Sequence, residues 1–138
     1  GRISGPLMDR FDLRIEVPAL GFGELDLPPS GDRSVDVAAR VSAARKRQLA
    51  RLATLWPDGN ARSNADAPPA LLDRIAAPDR DGRDLLQRAA DRLGLTARGY
   101  HRILRTARTI ADLDESEKVH ANHLAEAISY RLPFMPGV

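Results

Sequence analysis

The chain has 138 residues, of which 43% are hydrophobic, 29% charged and 4% aromatic, a composition typical of one globular domain, or one domain plus part of another, with an aliphatic core. It contains no cysteine, which excludes disulfide frameworks, thiolate metal sites, iron–sulfur clusters and a cysteine nucleophile. No apolar run approaches the roughly 20 residues of a membrane span, and the first residues do not resemble a signal peptide. We therefore expect a cytoplasmic protein with no membrane partner.

Charge is nearly balanced overall but unevenly distributed. The 21 Lys and Arg residues outnumber the 19 Asp and Glu residues by two, and every one of the 21 except Lys46 and Lys118 is arginine. Positions 83 to 108 hold seven arginines and two aspartates, whereas positions 112 to 126 hold five acids and one lysine. A polyanionic ligand would be attracted to the first of these blocks.

The first predicted element is a β-strand at residues 11–17. Its sequence, FDLRIEV, alternates apolar and charged side chains with a period of two, and Pro18 ends it because proline has no N–H for a ladder. A single strand cannot form a sheet, since its backbone donors and acceptors need a neighbouring strand. We therefore expect its partners to lie in another molecule or in protein segments that this sequence lacks.

A linker rich in Pro and Gly follows at 18–34, and beyond it the pattern is helical. The first predicted helix carries apolar residues three and four positions apart and ends near Trp56, with Ser34 or Asp32 as its N-cap. After a loop at 60–68, Pro68 and Pro69 favour the start of a short helix, because proline is tolerated in a first turn.

Three further helices complete the predicted bundle. The first ends where Gly94 is placed to close it; Thr96 can cap the next, at about 97–113; and the last covers roughly 121–131. The fold class is therefore mainly α, a helical bundle preceded by one stray β-strand and a linker.

The two faces of the predicted helix 97–113 differ sharply. At 100° per residue its apolar side chains fall within an arc of about 120°. Arg98, Arg102 and Arg105 fall within about 60° on the opposite side. This arginine stripe is either the solvated face of an amphipathic helix or a binding surface for anions.

No motif forms a self-contained catalytic or metal site. The phosphate-binding pattern GxxxxGK[ST] does not occur in the sequence. His120 and His123 are three residues apart, yet no carboxylate or third histidine joins them at ligand spacing, so we interpret them, like His101, as surface or capping residues. We expect no metal site.

A second arginine is notable for its position before the predicted strand. Arg10, in Asp9-Arg10-Phe11-Asp12, would be held by the sheet yet project from it, which suits a guanidinium reaching a phosphate bound by a neighbouring molecule. The alternative is a surface salt bridge of Arg10 with Asp9 or Asp12, which would contribute little.

Two strings carry a resemblance to a known family. SGPLMDRFDLRIEVP, at 4–18, is similar to the segment that ends the ATPase core of Mg-chelatase-like AAA+ ATPases of the ComM group, which are linked to DNA processing. TARGYHRILRTARTIADL, at 96–113, and HLAEAISYR, at 123–131, resemble the C-terminal helical domain of that group. The resemblance implies that residues 1–30 end the AAA+ core and that residues 31–138 form the helical lid domain.

The resemblance also implies roles for individual arginines. The trans arginine finger, which completes the ATP site of the adjacent subunit, falls on Arg10. The sensor-2 arginine, which contacts the γ-phosphate of the subunit's own nucleotide, is best matched by Arg98, with Arg105 and Arg102 as second choices. Gly99 fits the pattern too, and we hypothesise that it lets nucleotide or core approach closely.

Cofactors and partners follow from the same resemblance. ATP and Mg²⁺ belong to the full-length parent, and we expect neither bound to this chain, which alone should hydrolyse nothing. Its partners would be its own AAA+ core and the neighbouring subunits of a hexameric ring that acts on DNA.

Two other functions remain open on the residues themselves. Positions 85–110 resemble a helix-turn-helix with Gly94-Leu95-Thr96 as the turn, in which Arg98, His101, Arg102 and Arg105 would contact DNA. Alternatively, the arginine-rich helix that ends at Leu55 would form a subunit contact.

Overall fold

The computed structural model describes Leu7 and residues 10–131, and within them the protein is mainly α-helical. The five α-helices are α1 (Ser34–Leu55), α2 (Pro69–Ile75), α3 (Arg80–Leu93), α4 (Ala97–Leu113) and α5 (Ala121–Ser129). Two short 3₁₀ helices, Phe22–Asp26 and Asn64–Asp66, lie in the connections. The predicted bundle is thus confirmed, and no described helix is long and apolar enough to cross a bilayer.

Local capping explains where the central helices begin and end. The Thr96 side chain accepts a hydrogen bond from the Gly99 N–H at 3.1 Å, and Asp79 caps α3 in the same way. Gly94 ends α3 with φ of 60°, a left-handed conformation that costs an L-residue with a side chain about 1–2 kcal/mol. The predicted caps at Thr96 and Gly94 are confirmed.

The predicted cap of α1 is wrong. The N-cap residue is Arg33, which makes no side-chain capping bond, and Ser34 is already the first helical residue. Asp32 instead pairs with the Arg40 guanidinium, two turns along the helix surface. The Asp32 carboxylate, predicted to accept a hydrogen bond from the first turn of α1, therefore binds the Arg40 guanidinium instead.

Helix α4 is the centre of the bundle. It packs against α1, α2, α5 and the 3₁₀ helix Asn64–Asp66, while α3 packs against α5. Leucine, isoleucine, valine and alanine side chains alone make up the main buried cluster, as the low aromatic content predicts. Ile103 and Leu104 of α4, with Leu72 of α2 and Leu124 of α5, are almost completely buried in it. The apolar arc of α4 is thereby covered, and its arginine stripe faces outward.

The strand predicted at 11–17 is not formed. These residues run without regular secondary structure, and the described part of the chain contains no β-strand, only one isolated bridge between Pro78 and Val119. Phe11, Leu13 and Ile15 are all exposed. A ladder needs a second strand, and none of the described residues supplies one.

A buried charge cluster joins α1 to α4. The Asp112 carboxylate pairs with Arg51 of α1, and it lies 3.1 Å from the Arg108 guanidinium one helical turn away. Arg108 also donates to the backbone carbonyls of Ile75, Ser116 and Glu117. Burial lowers the pKa of Arg108, and the Asp112 charge opposes that shift. The cluster fixes the C-terminal half of α1 against the centre of the bundle.

Candidate functional site

A basic pocket opens beside the first two turns of α4. It encloses about 430 Å³, and its lining residues are Pro69, Ala97, Arg98, His101, Arg102 and Arg105. The pocket therefore contains every candidate that the sequence placed on the arginine stripe, together with His101. Because α4 begins at Ala97, the positive end of its helix dipole lies beside the pocket and adds to its attraction for anions.

Arg98 is the pocket arginine whose charge is not compensated. Its side chain is exposed, and it makes no hydrogen bond or ion pair with any residue that the structure describes. It occupies the second position of α4, where the positive end of the helix dipole also favours an anion. A phosphate group that entered the pocket could bind Arg98 without displacing a protein partner.

Arg102 and Arg105 both have partners. Nη1 of Arg102 donates to the Arg10 carbonyl oxygen at 2.7 Å and to the Asp12 carboxylate at 2.8 Å. Nη2 of Arg105 donates to the Ala67 carbonyl oxygen at 3.2 Å. Of the three arginines, these two are already engaged in holding other segments against α4.

His101 lies close to an acid of α2. Its Nδ1–H donates to the Ala97 carbonyl oxygen at 2.8 Å, and Nε2 lies 3.5 Å from the Asp73 carboxylate. Asp73 supplies a negative charge that a bound anion would have to face.

Arg10 lies next to the same helix through its backbone. The carbonyl bond to Arg102 holds residue 10 beside α4, and the Arg10 side chain is exposed. Asp9, the other acid considered as its partner, is outside the described residues. The alternative of a salt bridge between Arg10 and Asp12 is not observed, since the Asp12 carboxylate pairs with Arg102.

Comparison with known proteins decides the family. Residues 31–131 match the family model described as magnesium chelatase, subunit ChlI C-terminal. The chain belongs to this family. It is 39% identical over 131 residues to the competence protein ComM of Haemophilus influenzae, and 37% identical over 131 residues to an uncharacterised protein, YifB, of Escherichia coli. Each match covers 94% of this chain and 24% of the relative, so the chain spans about a quarter of the length of these curated relatives.

The chelatase C-terminal match includes the end of α5, where sequence reasoning missed a contributor. Arg131 is buried, and its Nη1 donates to the Phe11 carbonyl oxygen at 3.2 Å. Its Nη2 would lie 3.5 Å from a Cβ built on Gly99, which is an ordinary contact. This guanidinium therefore lies as close to a Cβ at position 99 as the Thr96 hydroxyl does. The only sequence signal for it was the position of Arg131 at the end of the recognised HLAEAISYR string.

The two other histidines of this chelatase-family domain serve as structural hydrogen-bonding groups. The His123 Nδ1 accepts from the His120 N–H at 3.0 Å, and its Nε2–H donates to Asp114 at 2.8 Å. His120 donates to Asp79 at 2.9 Å, and this bond, with a backbone bond from Gly82, lowers the pKa of Asp79. Within the described residues no group of three or more His, Cys, Asp or Glu could hold a metal ion.

Proposed function

We propose that this chain is the C-terminal part of a Mg-chelatase-like AAA+ ATPase, and that it supplies Arg98 as a sensor-2 arginine and Arg10 as a trans arginine finger. The family match supports the first half of this proposal. The observation that carries the sensor assignment is the state of Arg98, which lines a basic pocket and has no partner among the described residues. The finger assignment of Arg10 rests on the family resemblance. Arg102 and Arg105 fit the sensor role less well, because each is bonded to a backbone carbonyl.

The proposed chemistry is electrostatic. Hydrolysis of ATP spreads negative charge over the γ-phosphoryl oxygens, and in known NTPases a positioned arginine accelerates the reaction by about 10³- to 10⁵-fold. Arg98 would bind such an oxygen through a guanidinium that stays charged at every physiological pH. The dipole of α4 would favour the same charge from the same side.

We propose that the pocket receives a terminal phosphate, and that the rest of the nucleotide and its metal are bound elsewhere. It is cationic, and the sequence lacks a phosphate-cradling GxxxxGK[ST] loop. ATP and Mg²⁺ would therefore be held mainly by parts of the parent that this chain lacks, where Mg²⁺ neutralises phosphate charge. The residues that bind the nucleotide would then come from the core, the lid and a neighbouring subunit. We propose that this arrangement couples hydrolysis to closure of the lid and to ring assembly.

A ring-shaped motor that acts on DNA is the whole-protein function we propose, by branch migration or helicase activity. This proposal rests on the resemblance to the ComM group, and the chain would form only the C-terminal part of that motor. The alternating side chains of segment 11–17 support the proposal, because a strand with this pattern needs partner strands that the described residues do not supply.

Steady-state ATPase assays on the full-length parent test the arginine roles. We expect Arg98→Ala and Arg10→Ala each to reduce kcat by at least about 10²-fold, since each removes charge stabilisation from the transition state. Arg88→Ala is the matched control, because Arg88 is also an exposed helical arginine but lies on α3; it should retain full turnover. Normal turnover of the Arg98→Ala enzyme would contradict the sensor assignment.

The helix-turn-helix alternative predicts a different outcome. The short turn between α3 and α4 suits a DNA reader, but two of its four candidate contacts, Arg102 and Arg105, are engaged internally. A DNA reader would bind duplex DNA in a fluorescence titration with an affinity that falls steeply as salt increases. We expect weak duplex binding by the 138-residue chain. Tight, salt-dependent binding that Arg98→Ala abolishes would favour the alternative.

A further inference from the structure

We infer that Arg102 and Asp12 form a clamp that positions the finger-bearing segment on the lid, so that Arg102 is a positioning residue for Arg10 rather than a phosphate ligand. This inference rests on the proposed role of Arg10 as an arginine finger. It assigns a function to the arginine of the stripe that is bound to the segment carrying Arg10.

The clamp consists of hydrogen bonds between residues about 90 positions apart in sequence. A single nitrogen, Nη1 of Arg102, donates to the Arg10 carbonyl oxygen at 2.7 Å and to the Asp12 carboxylate at 2.8 Å. The Arg102 side chain is 21% exposed, so water screens it only partly, whereas the Asp12 side chain is 58% exposed. The Arg102 guanidinium thus binds both Arg10 and Asp12.

The two residues that follow α5 hold the same segment. Nη1 of Arg131 donates to the Phe11 carbonyl oxygen at 3.2 Å, and the Arg14 N–H donates to the Tyr130 carbonyl oxygen at 2.9 Å. Residues 10, 11, 12 and 14 are therefore all bonded to α4 or to the two residues after α5. These bonds fix the segment even though it has no regular secondary structure of its own.

Such fixation matters for a group that acts on a transition state. A displacement of about 1 Å in a positioned catalytic group can cost about 10²-fold in rate. The Arg10 side chain extends from a backbone whose carbonyl is bonded to Arg102, so any shift of α4 is transmitted to it. The clamp would thereby link the position of the lid to the position of the finger.

Asp12 distinguishes a clamp from a direct phosphate site. If Arg102 bound phosphate itself, Asp12 would compete for it, and Asp12→Ala would leave turnover unchanged or increase it. If Arg102 is a clamp, the same substitution loosens the segment that carries Arg10 and reduces turnover. Asp12 is exposed, so its replacement does not threaten the fold of the bundle.

The experiment combines a local and a catalytic measurement on Asp12→Ala. In the 138-residue chain, we expect amide exchange at Arg14 to become several-fold faster, because its bond to Tyr130 depends on the docked segment. In the full-length parent, we expect kcat to fall about 10-fold with the KM for ATP unchanged, since the finger acts in the transition state. Asp12→Glu, which keeps the carboxylate, should restore most of the turnover.

Glu16→Ala is the matched control, because Glu16 is an exposed acid of the same segment with no bond to any residue that the structure describes; it should change neither measurement. Two results for Asp12→Ala would overturn the clamp and leave the proposed function standing. One is unchanged amide exchange at Arg14; the other is faster exchange with a normal kcat, in a parent that Arg10→Ala inactivates. Full activity of Arg10→Ala itself would overturn the proposed function and the positioning role with it, and the exchange result would report the contact separately.

Discussion

Arg98, Arg102 and Arg105 share one face of α4, yet their guanidinium groups have different surroundings. Two of them donate to backbone carbonyls of other segments, and Arg98 has no partner among the described residues. An arginine that is already bonded must lose that bond before it binds phosphate, and a bond to a charged group contributes about 1.5–3 kcal/mol. Arg98 has no such cost, which makes it the preferred sensor residue.

Gly99, adjacent to Arg98, offers a test at the same scale. A Cβ at this position would meet the Arg131 Nη2 and Thr96 Oγ1 at 3.5 Å and nothing closer. Since alanine is favoured over glycine in helices by up to about 1 kcal/mol, we expect Gly99→Ala to raise the free energy of unfolding of the chain by up to about that amount. Urea denaturation of the 138-residue chain measures it.

Gly82 is the matched contrast, because it holds the same capped position in α3 but a Cβ there would lie 2.8 Å from Leu124 Cδ1. Gly82→Ala should lower the free energy of unfolding by about 1–3 kcal/mol through overpacking. A marked loss of stability in Gly99→Ala would contradict the space that the structure shows. Gain of stability with loss of ATP turnover in the parent would instead support the hypothesis of close nucleotide approach.

At the scale of elements, the helices could be predicted because their signals are local. Thr96 and Gly94 have the right residue types at the right spacing, and the structure confirms both. The strand at 11–17 has an equally local pattern, but a strand is completed by a partner that the described residues do not contain. Period alone therefore predicted the buried face of α4 correctly but could not supply the neighbours of the segment at 11–17.

The buried cluster shows the same limit from inside the bundle. Arg108 and Asp112 are four residues apart at the edge of the apolar arc of α4, a signal visible in the sequence. Arg51 lies 61 positions from Asp112, and no sequence pattern connects them. The contacts that Arg102 makes with Arg10 and Asp12 were hidden for the same reason, since they depend on the tertiary fold.

Asp112→Ala tests how strongly this cluster joins α1 to α4. The Asp112 side chain is fully buried and that of Arg108 is 1% exposed, so the substitution leaves a buried guanidinium without its counter-charge. We expect the free energy of unfolding to fall by about 3–5 kcal/mol. Asp81→Ala, an exposed acid in the first turn of α3, should change it by less than about 0.5 kcal/mol. Thermal and urea unfolding of both variants provide the comparison, and a small effect of Asp112→Ala would contradict the role of the cluster.

At the scale of the whole molecule, the exposed surfaces indicate where further protein is expected. The first ten residues of α1, at 34–43, are all exposed. Val37 and Val41 belong to the same apolar stripe as Ala44 and Leu52, but only the latter two are buried. Segment 11–17 is also exposed except at the half-buried Arg14, and the chain spans only 24% of the length of a matched relative. We expect the rest of the parent, or a neighbouring subunit, to cover these surfaces.

Complementation between two inactive forms of the full-length parent tests the central claim most directly. One form carries Arg10→Ala, and the other carries a disabled phosphate-binding loop in the AAA+ core. If Arg10 completes the ATP site of an adjacent subunit, mixing the two should restore a substantial fraction of ATP turnover, because some interfaces then pair an intact loop with an intact finger. Arg98→Ala mixed with the same loop variant should stay inactive, because the sensor acts on its own subunit's nucleotide. Failure of the Arg10 mixture to regain activity, although each variant still assembles, would contradict the account.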